Sequence, residues 1–227
     1  MAERSFPCPI CGEILEKHEG KAECMFCGEK EEADYICPNG HFRCEECRLA
    51  GPKEIIERTC KNYDGTEPIE LAPLIMKHSS FNAHGIEHHL LVAPVILTIC
   101  RNSGIDVSSK KIKTAMKRLE DIPYGACGSR GACGACESAG VAVSLITGAS
   151  FRSGEERSLA LRTTSNSLKA IAEMGGPRCC KQSVYASIEQ AISILKEEYD
   201  LDDIEDFKCP FAGDIEGCKE ERCIYYG

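Results

Sequence analysis

The chain of 227 residues has no tryptophan. It has no run of about 18 apolar residues either, so no membrane-spanning helix is expected; the longest largely apolar stretch is Leu90 to Cys100. Its start, Met1-Ala-Glu-Arg-Ser-Phe-Pro, lacks the apolar region of a signal peptide, which makes a cytoplasmic protein the expectation. A basic excess is missing too. With 27 Lys+Arg against 36 Asp+Glu the net charge is −9, which argues against a nucleic-acid footprint. The length allows one medium domain and a small module.

What is present in excess is cysteine, at 17 residues. A reducing cytosol disfavours a disulfide framework, and an odd count cannot pair completely. Metal binding explains the number better.

Cysteine spacing divides the chain into a double zinc-knuckle module over 1–50, a helical iron–sulfur domain over 53–200 and a cysteine-rich tail over 201–227. Residues 1–50 are short, polar and turn-rich, so metal is expected to hold them together. Beyond Pro52 apolar residues recur at three and four positions. The pattern predicts helices at 53–60, 67–78, 86–102, 108–120, 131–147, 155–174 and 182–198. The fold class is therefore mainly α, with a zinc-ribbon-like N-terminus and a metal-tied C-terminus.

Cys8, Cys11, Cys24 and Cys27 form two CxxC knuckles, the spacing of a tetrahedral zinc site. Cys37, Cys44 and Cys47 supply three ligands of a second site, with His41 as the fourth or Cys60 in its place. Both would form a structural or docking module for a protein partner. The third group differs, because glycine and alanine surround Cys127, Cys133 and Cys136, and Cys179 and Cys180 follow some forty residues later. Small residues let backbone N–H groups approach inorganic sulfide, so a [4Fe-4S] cluster is preferred over zinc or inert thiols. Adjacent cysteines point in different directions, so only one of Cys179 and Cys180 is expected on a given iron. Cys209, Cys218 and Cys223 offer three ligands for a second cluster or a further zinc; Cys60 or a central cysteine would complete them. Cys100 reads as a small core residue.

His84, Glu87 and His88 match HxxEH, the inverted zinc-hydrolase motif. The same residues can instead line a polar pocket beside the cluster, as proton-transfer or orienting groups, or simply form a solvated helix start.

The order Gly65-Thr66-Glu67-Pro68-Ile69, Asn82-Ala-His84-Gly85-Ile86, Pro94-Val95, the small-residue helix 127–142 and Gly-Pro-Arg178-Cys-Cys-Lys181 resembles the iron–sulfur L-cysteine desulfidases. More distantly it resembles the alpha subunit of the oxygen-sensitive L-serine dehydratases. The resemblance spans residues 60–195. It implies a helical fold and a [4Fe-4S] cluster on three cysteines, with one iron open for an α,β-elimination. Here it implies a ligand from Cys127, Cys133 or Cys136 together with Cys179 and Cys180. Where the desulfidases carry a cysteine before Thr-Glu-Pro, this chain has Gly65. The whole chain is also similar to a cysteine-rich family of methanogens and other anaerobes, some of whose members are joined to a methyltransferase domain.

The function expected is thus an oxygen-sensitive iron–sulfur enzyme acting on a small thiol or hydroxy acid by elimination or sulfur mobilisation. In that scheme Glu67, His84 or His88 moves protons, and Arg178 and Lys181 hold a substrate carboxylate. Glu67 could equally cap a helix after Thr66, and the two cations could be surface charges. The alternative is a noncatalytic assembly factor, sulfur or metal donor, or electron carrier.

Overall fold

The computed structural model describes residues 5–176 and 178–227. Four short strands open the chain: β1 (Glu16–Lys17), β2 (Lys21–Glu23), β3 (Lys30–Glu32) and β4 (Tyr35–Ile36). They form two nested antiparallel ladders. The β2–β3 hairpin pairs Lys21 with Glu32, while β1 and β4, which bracket it in sequence, pair Glu16 with Ile36. Strands of two or three residues bury almost nothing on their own, so this nest depends on what ties its ends.

Helices follow: α1 (Glu45–Leu49), α2 (Pro52–Asn62), α3 (Pro68–Met76), α4 (Glu87–Asn102), α5 (Ser109–Leu119), α6 (Ala126–Ser129), α7 (Gly134–Thr147), α8 (Glu155–Glu173) and α9 (Cys180–Leu195). Seven match the expected helices within a few residues at each end. The short α1 and α6 carry too few residues for an apolar period to show. Val141–Ile146, whose branched residues suit a strand as well, lies in α7.

The α4 helix is the central element. It is buried from Leu90 to Cys100 and packs against α7, α5, α9 and α2. Pro94 has no N–H to donate, and next to it the Ala93 N–H donates to Ser138 Oγ on α7 at 2.9 Å, which ties the two helices where the ladder is interrupted. Small residues let α7 approach its neighbours closely. A Cβ at Gly140 would strike Thr164 of α8, and one at Gly134 would strike the His89 ring of α4. Tight packing of this kind, rather than any polar signal, makes α7 a helix.

The N-terminal module, polar and turn-rich as it is, still shares the same apolar core. Phe26 is fully buried with its ring edge-on to His78, and His78 Nε2 lies 2.7 Å from the Cys47 carbonyl. The tail joins the core as well. Tyr225 stacks on Phe207, meets Tyr185 of α9 edge-on, and donates from its hydroxyl to Glu189 at 2.7 Å. Among the described residues, no helix is long and apolar enough to cross a membrane.

Candidate metal centres and the cysteine-lined cavity

The nested ladders decide which cysteines meet. Pairing of β1 with β4 returns Cys37 and His41 to the knuckle Cys8–Cys11, and the four form one group. Cys24 and Cys27 stand at the far end of the β2–β3 hairpin. There the Met25 N–H donates to the Phe42 carbonyl at 2.9 Å, which brings Cys44 and Cys47 beside them as the second group. The expected pairing of Cys8, Cys11, Cys24 and Cys27 around one ion is therefore corrected. The same residues form both groups, but the half-sites are interleaved, because the hairpin between the two CxxC knuckles carries them to opposite ends. Cys60 is in neither group. It is fully buried on α2, its thiol pushed up to about 12 by that burial.

Distances within both groups fit a single tetrahedral ion. Bonds of about 2.3 Å to thiolates put neighbouring sulfurs about 3.8 Å apart. Cys11 and Cys37 Sγ are 3.5 Å apart and Cys27 and Cys44 Sγ 3.6 Å, while His41 Nδ1 lies 3.7 Å from Cys8 Sγ and 3.6 Å from Cys37 Sγ. Backbone N–H groups of Ile10, Asn39 and Cys47 donate to Cys8, Cys37 and Cys44 Sγ at 3.3–3.4 Å. Burial pushes the Cys44 thiol up to about 11; burial and the thiols of Cys27 and Cys44 push Cys47 up as well. A divalent ion such as zinc relieves that crowding by replacing protons with a shared positive charge.

The central cysteines surround a cavity of about 440 Å³ between the N-terminal ends of α4, α7 and α9 and the α8 face. Cys127, Cys133 and Cys180 line it, with His84, His89, Tyr124, Arg178 and Ser183 among the polar residues and Leu168, Ile171 and Ala172 on the apolar side. Cys133 is the N-cap of α7 and Cys180 opens α9, so both stand at helix N-termini, although burial pushes the Cys180 thiol up. The Cys133 thiol is lowered to about 6 by its interaction with Cys136 against the opposing effect of burial, helped by the Ala135 and Cys136 N–H groups. These cysteines do not gather within the 4.8 Å mutual span that both knuckle groups satisfy.

Several expected site residues lie elsewhere. Cys136 is fully buried behind the cavity wall, where Ser187 Oγ donates to its sulfur at 3.6 Å. Cys179 turns away into a second pocket with Cys209, Cys218 and Cys223. Glu67 sits in the turn before α3, against Ser103 and Asp202, beside the C-terminal end of α4. Asn102 fixes that turn by donating to the carbonyls of Tyr63 and Gly65 at 3.0 and 2.7 Å. The cavity opens at the other end of α4, whose sixteen residues span about 24 Å, so Glu67 is not part of it.

Lys181 is buried rather than presented to the cavity, held by the Asn82 carbonyl at 3.2 Å, His88 Nε2 at 3.4 Å and the Phe211 ring at 4.8 Å. Arg178 alone of the two expected carboxylate holders lines the cavity. The HxxEH residues do not assemble as zinc ligands. His84 precedes the helix, since α4 begins at Glu87, so the two histidines are not one turn apart on a regular helix. Glu87 accepts the Asn82 N–H at 2.9 Å. His88 is fully buried and lowered to about 3 by that burial and by the nearby Lys181 charge. The Lys181 ammonium assigns Nε2 as acceptor, leaving Nδ1–H toward the Gly85 carbonyl.

His89 is the residue that motif reading passed over. It lines the cavity with a buried, unpartnered Nδ1, and His84 brings two buried nitrogens without partners. The histidine-rich run was visible in sequence, but the match to HxxEH named His84 and His88, which line the cavity, and left out His89, which lines it too.

Residues 56–226 match the model of the DUF5714 family, described as a family of unknown function, and the chain belongs to that family. No curated protein and no solved structure matches it.

Proposed function

We propose that the protein is an oxygen-sensitive iron–sulfur enzyme acting on a small anionic thiol or hydroxy acid, with a [4Fe-4S] cluster on Cys127, Cys133 and Cys180. One observation carries this reading. Three cysteines from three separate segments line a single cavity that also contains Arg178 and two histidines with unpartnered nitrogens. Their spread suits a polynuclear cluster better than one ion, and three thiolates leave one iron open. When bound, such a cluster supplies a Lewis-acidic iron beside the substrate.

The chain's own residues supply the rest. Arg178 binds the substrate carboxylate by charge-assisted hydrogen bonds, and Leu168, Ile171 and Ala172 exclude water from one side. His84 and His89, both lining the cavity, take and return a proton in this reading. An α,β-elimination balances with those parts alone. The Cα–H bond and the Cβ–sulfur or Cβ–oxygen bond break, a carbon–carbon double bond forms, and the proton passes through a histidine to the leaving thiol or water. The resemblance to L-cysteine desulfidases and L-serine dehydratases supports this class of reaction. Such chemistry belongs in a reducing, anaerobic cytoplasm.

The exposed Phe6, Ile14 and Leu49 on the N-terminal module favour a second reading, a carrier or assembly protein that docks through it. Anaerobically purified protein distinguishes the two. Under the enzyme reading, a panel of small thiols and hydroxy acids shifts the EPR spectrum of the reduced cluster, and Arg178→Met weakens the shift at least tenfold while iron content holds. A cluster that is present but indifferent to the whole panel overturns the enzyme reading.

A further inference from the structure

Cys179 and Cys180 are neighbours in sequence but serve different spaces. Cys179 stands in extended conformation (φ −111°, ψ 107°) just before α9, whereas Cys180 is already helical. Cys180, the first residue of α9, lines the large cavity, and Cys179, the N-cap, lines a narrow pocket with Cys209, Cys218 and Cys223. We infer that these four cysteines form a second iron–sulfur site, fully ligated by thiolates and closed to substrate.

The surroundings of the sulfurs fit an anionic cluster. The Gly213 N–H donates to Cys218 Sγ at 3.3 Å, in a loop where Gly213 and Gly217 take left-handed conformations. The Lys181 and Gln182 N–H groups face Cys179, the Phe211 N–H faces Cys209, and the Tyr185 hydroxyl lies 3.8 Å from Cys209 Sγ. Such donors stabilise both thiolate and cluster sulfide. No three of the four sulfurs fall within the 4.8 Å mutual span that the knuckle groups meet, so the set is too wide for a single tetrahedral ion.

Lys181 stands in the wall between the two cysteine groups: its buried Nζ lies 4.8 Å from the ring of Phe211, which lines the tail pocket, and 3.4 Å from Nε2 of His88, which lines the cavity. The tail itself has only one short 3₁₀ turn, Glu220–Arg222, so a ligated centre also explains how residues 209–223 keep their shape. With no open iron, the site's role is to hold the tail and to pass electrons, and it does not depend on what the cavity does.

Full-length protein loaded with iron and sulfide under anaerobic conditions tests this. Wild type is expected to bind about eight iron atoms per chain as two spectroscopic components in Mössbauer spectra. Cys179→Ser and Cys209→Ser should each halve the iron and remove the same component; Cys180→Ser should remove the other. The inference is overturned if Cys179→Ser and Cys180→Ser remove the same component, if Cys209→Ser keeps all its iron, or if zinc leaves in place of iron. A variant that loses its helical circular dichroism is replaced by thiol footprinting of the wild type. There, Cys179, Cys209, Cys218 and Cys223 should resist alkylation when loaded and react together after chelation. A reactive Cys218 in loaded protein overturns the site. Loss of iron in Cys180→Ser alone leaves the cavity reading standing while this one fails.

Discussion

Two regions of this molecule use cysteine in opposite ways. In the N-terminal module eight ligands crowd into two groups whose sulfurs lie about one tetrahedral edge apart. Around the cavity and the tail pocket the thiols stand wider, at helix starts and on glycine-rich turns, and polar side chains share the space. The first arrangement is sized for a single ion and leaves no position for anything else. The second leaves room for a larger inorganic group and, in the cavity, for a ligand beside it. The same residue type therefore implies cohesion in one place and chemistry in the other, and spacing in three dimensions makes the difference.

Metal removal should separate the regions most sharply. A structural zinc contributes about 10–16 kcal/mol to the folding of small modules. Chelation, or Cys24→Ser, is expected to make residues 5–50 sensitive to protease while 56–226 keeps its helices, as read by limited proteolysis and circular dichroism. Simultaneous loss of the whole helical signal would show that the regions fold as one unit.

The shared core gives the next effect. Ile96, fully buried on α4, should cost about 2–5 kcal/mol when changed to Ala, without altering metal content. Denaturant melts with metal analysis check this. If metal is lost along with stability, the cysteine sites depend on core packing more than the comparison allows.

Acid should act on the cavity side. His88 is held neutral, with its pKa lowered from 6.5 to about 3. Below its ordinary pKa the unfolded chain binds a proton that the folded one does not. Stability from this group is thus complete above about pH 6.5 and falls toward pH 3, by up to about 1.4 kcal/mol per pH unit. His88→Gln should flatten that slope in urea melts; an unchanged slope would assign the acid sensitivity to other groups.

Interleaving within the module predicts a small, specific readout. With cadmium substituted for zinc, ¹¹³Cd NMR should give two resonances, one from a Cys₃His site and one from a Cys₄ site, and His41→Cys should move only the former. Smallest of all, the exposed pair Lys53–Glu120 should contribute about 0–1 kcal/mol, measured by a double-mutant cycle.

Much of the fold was legible because long helices announce themselves through apolar period. The seven expected helices appear, and the eight cysteine and histidine residues singled out at the N-terminus gather in two groups that could hold metal. What local sequence misjudged was partnership. CxxC pairs adjacent in the chain looked like one site, and Cys179 and Cys180 were expected beside one cluster with a ligand from Cys127, Cys133 or Cys136. Glu67 looked catalytic because a short motif carries no information about which end of α4 it will occupy. Lys181 looked like a substrate cation because nothing in its neighbours' identities reveals that Phe211 and Asn82 will enclose it.

The sequence by itself determined that this would be a mainly helical chain, with cysteines concentrated at its N-terminus, around its small-residue helix and in its tail, since composition and periodicity act locally. Only the tertiary structure decided which ligands share a site. That choice depends on the β1–β4 pairing, on the change from extended Cys179 to helical Cys180 at the start of α9, and on tail contacts through Phe207 and Tyr225. Each joins residues far apart in the chain, and bringing them together is decided by packing, which no local pattern encodes.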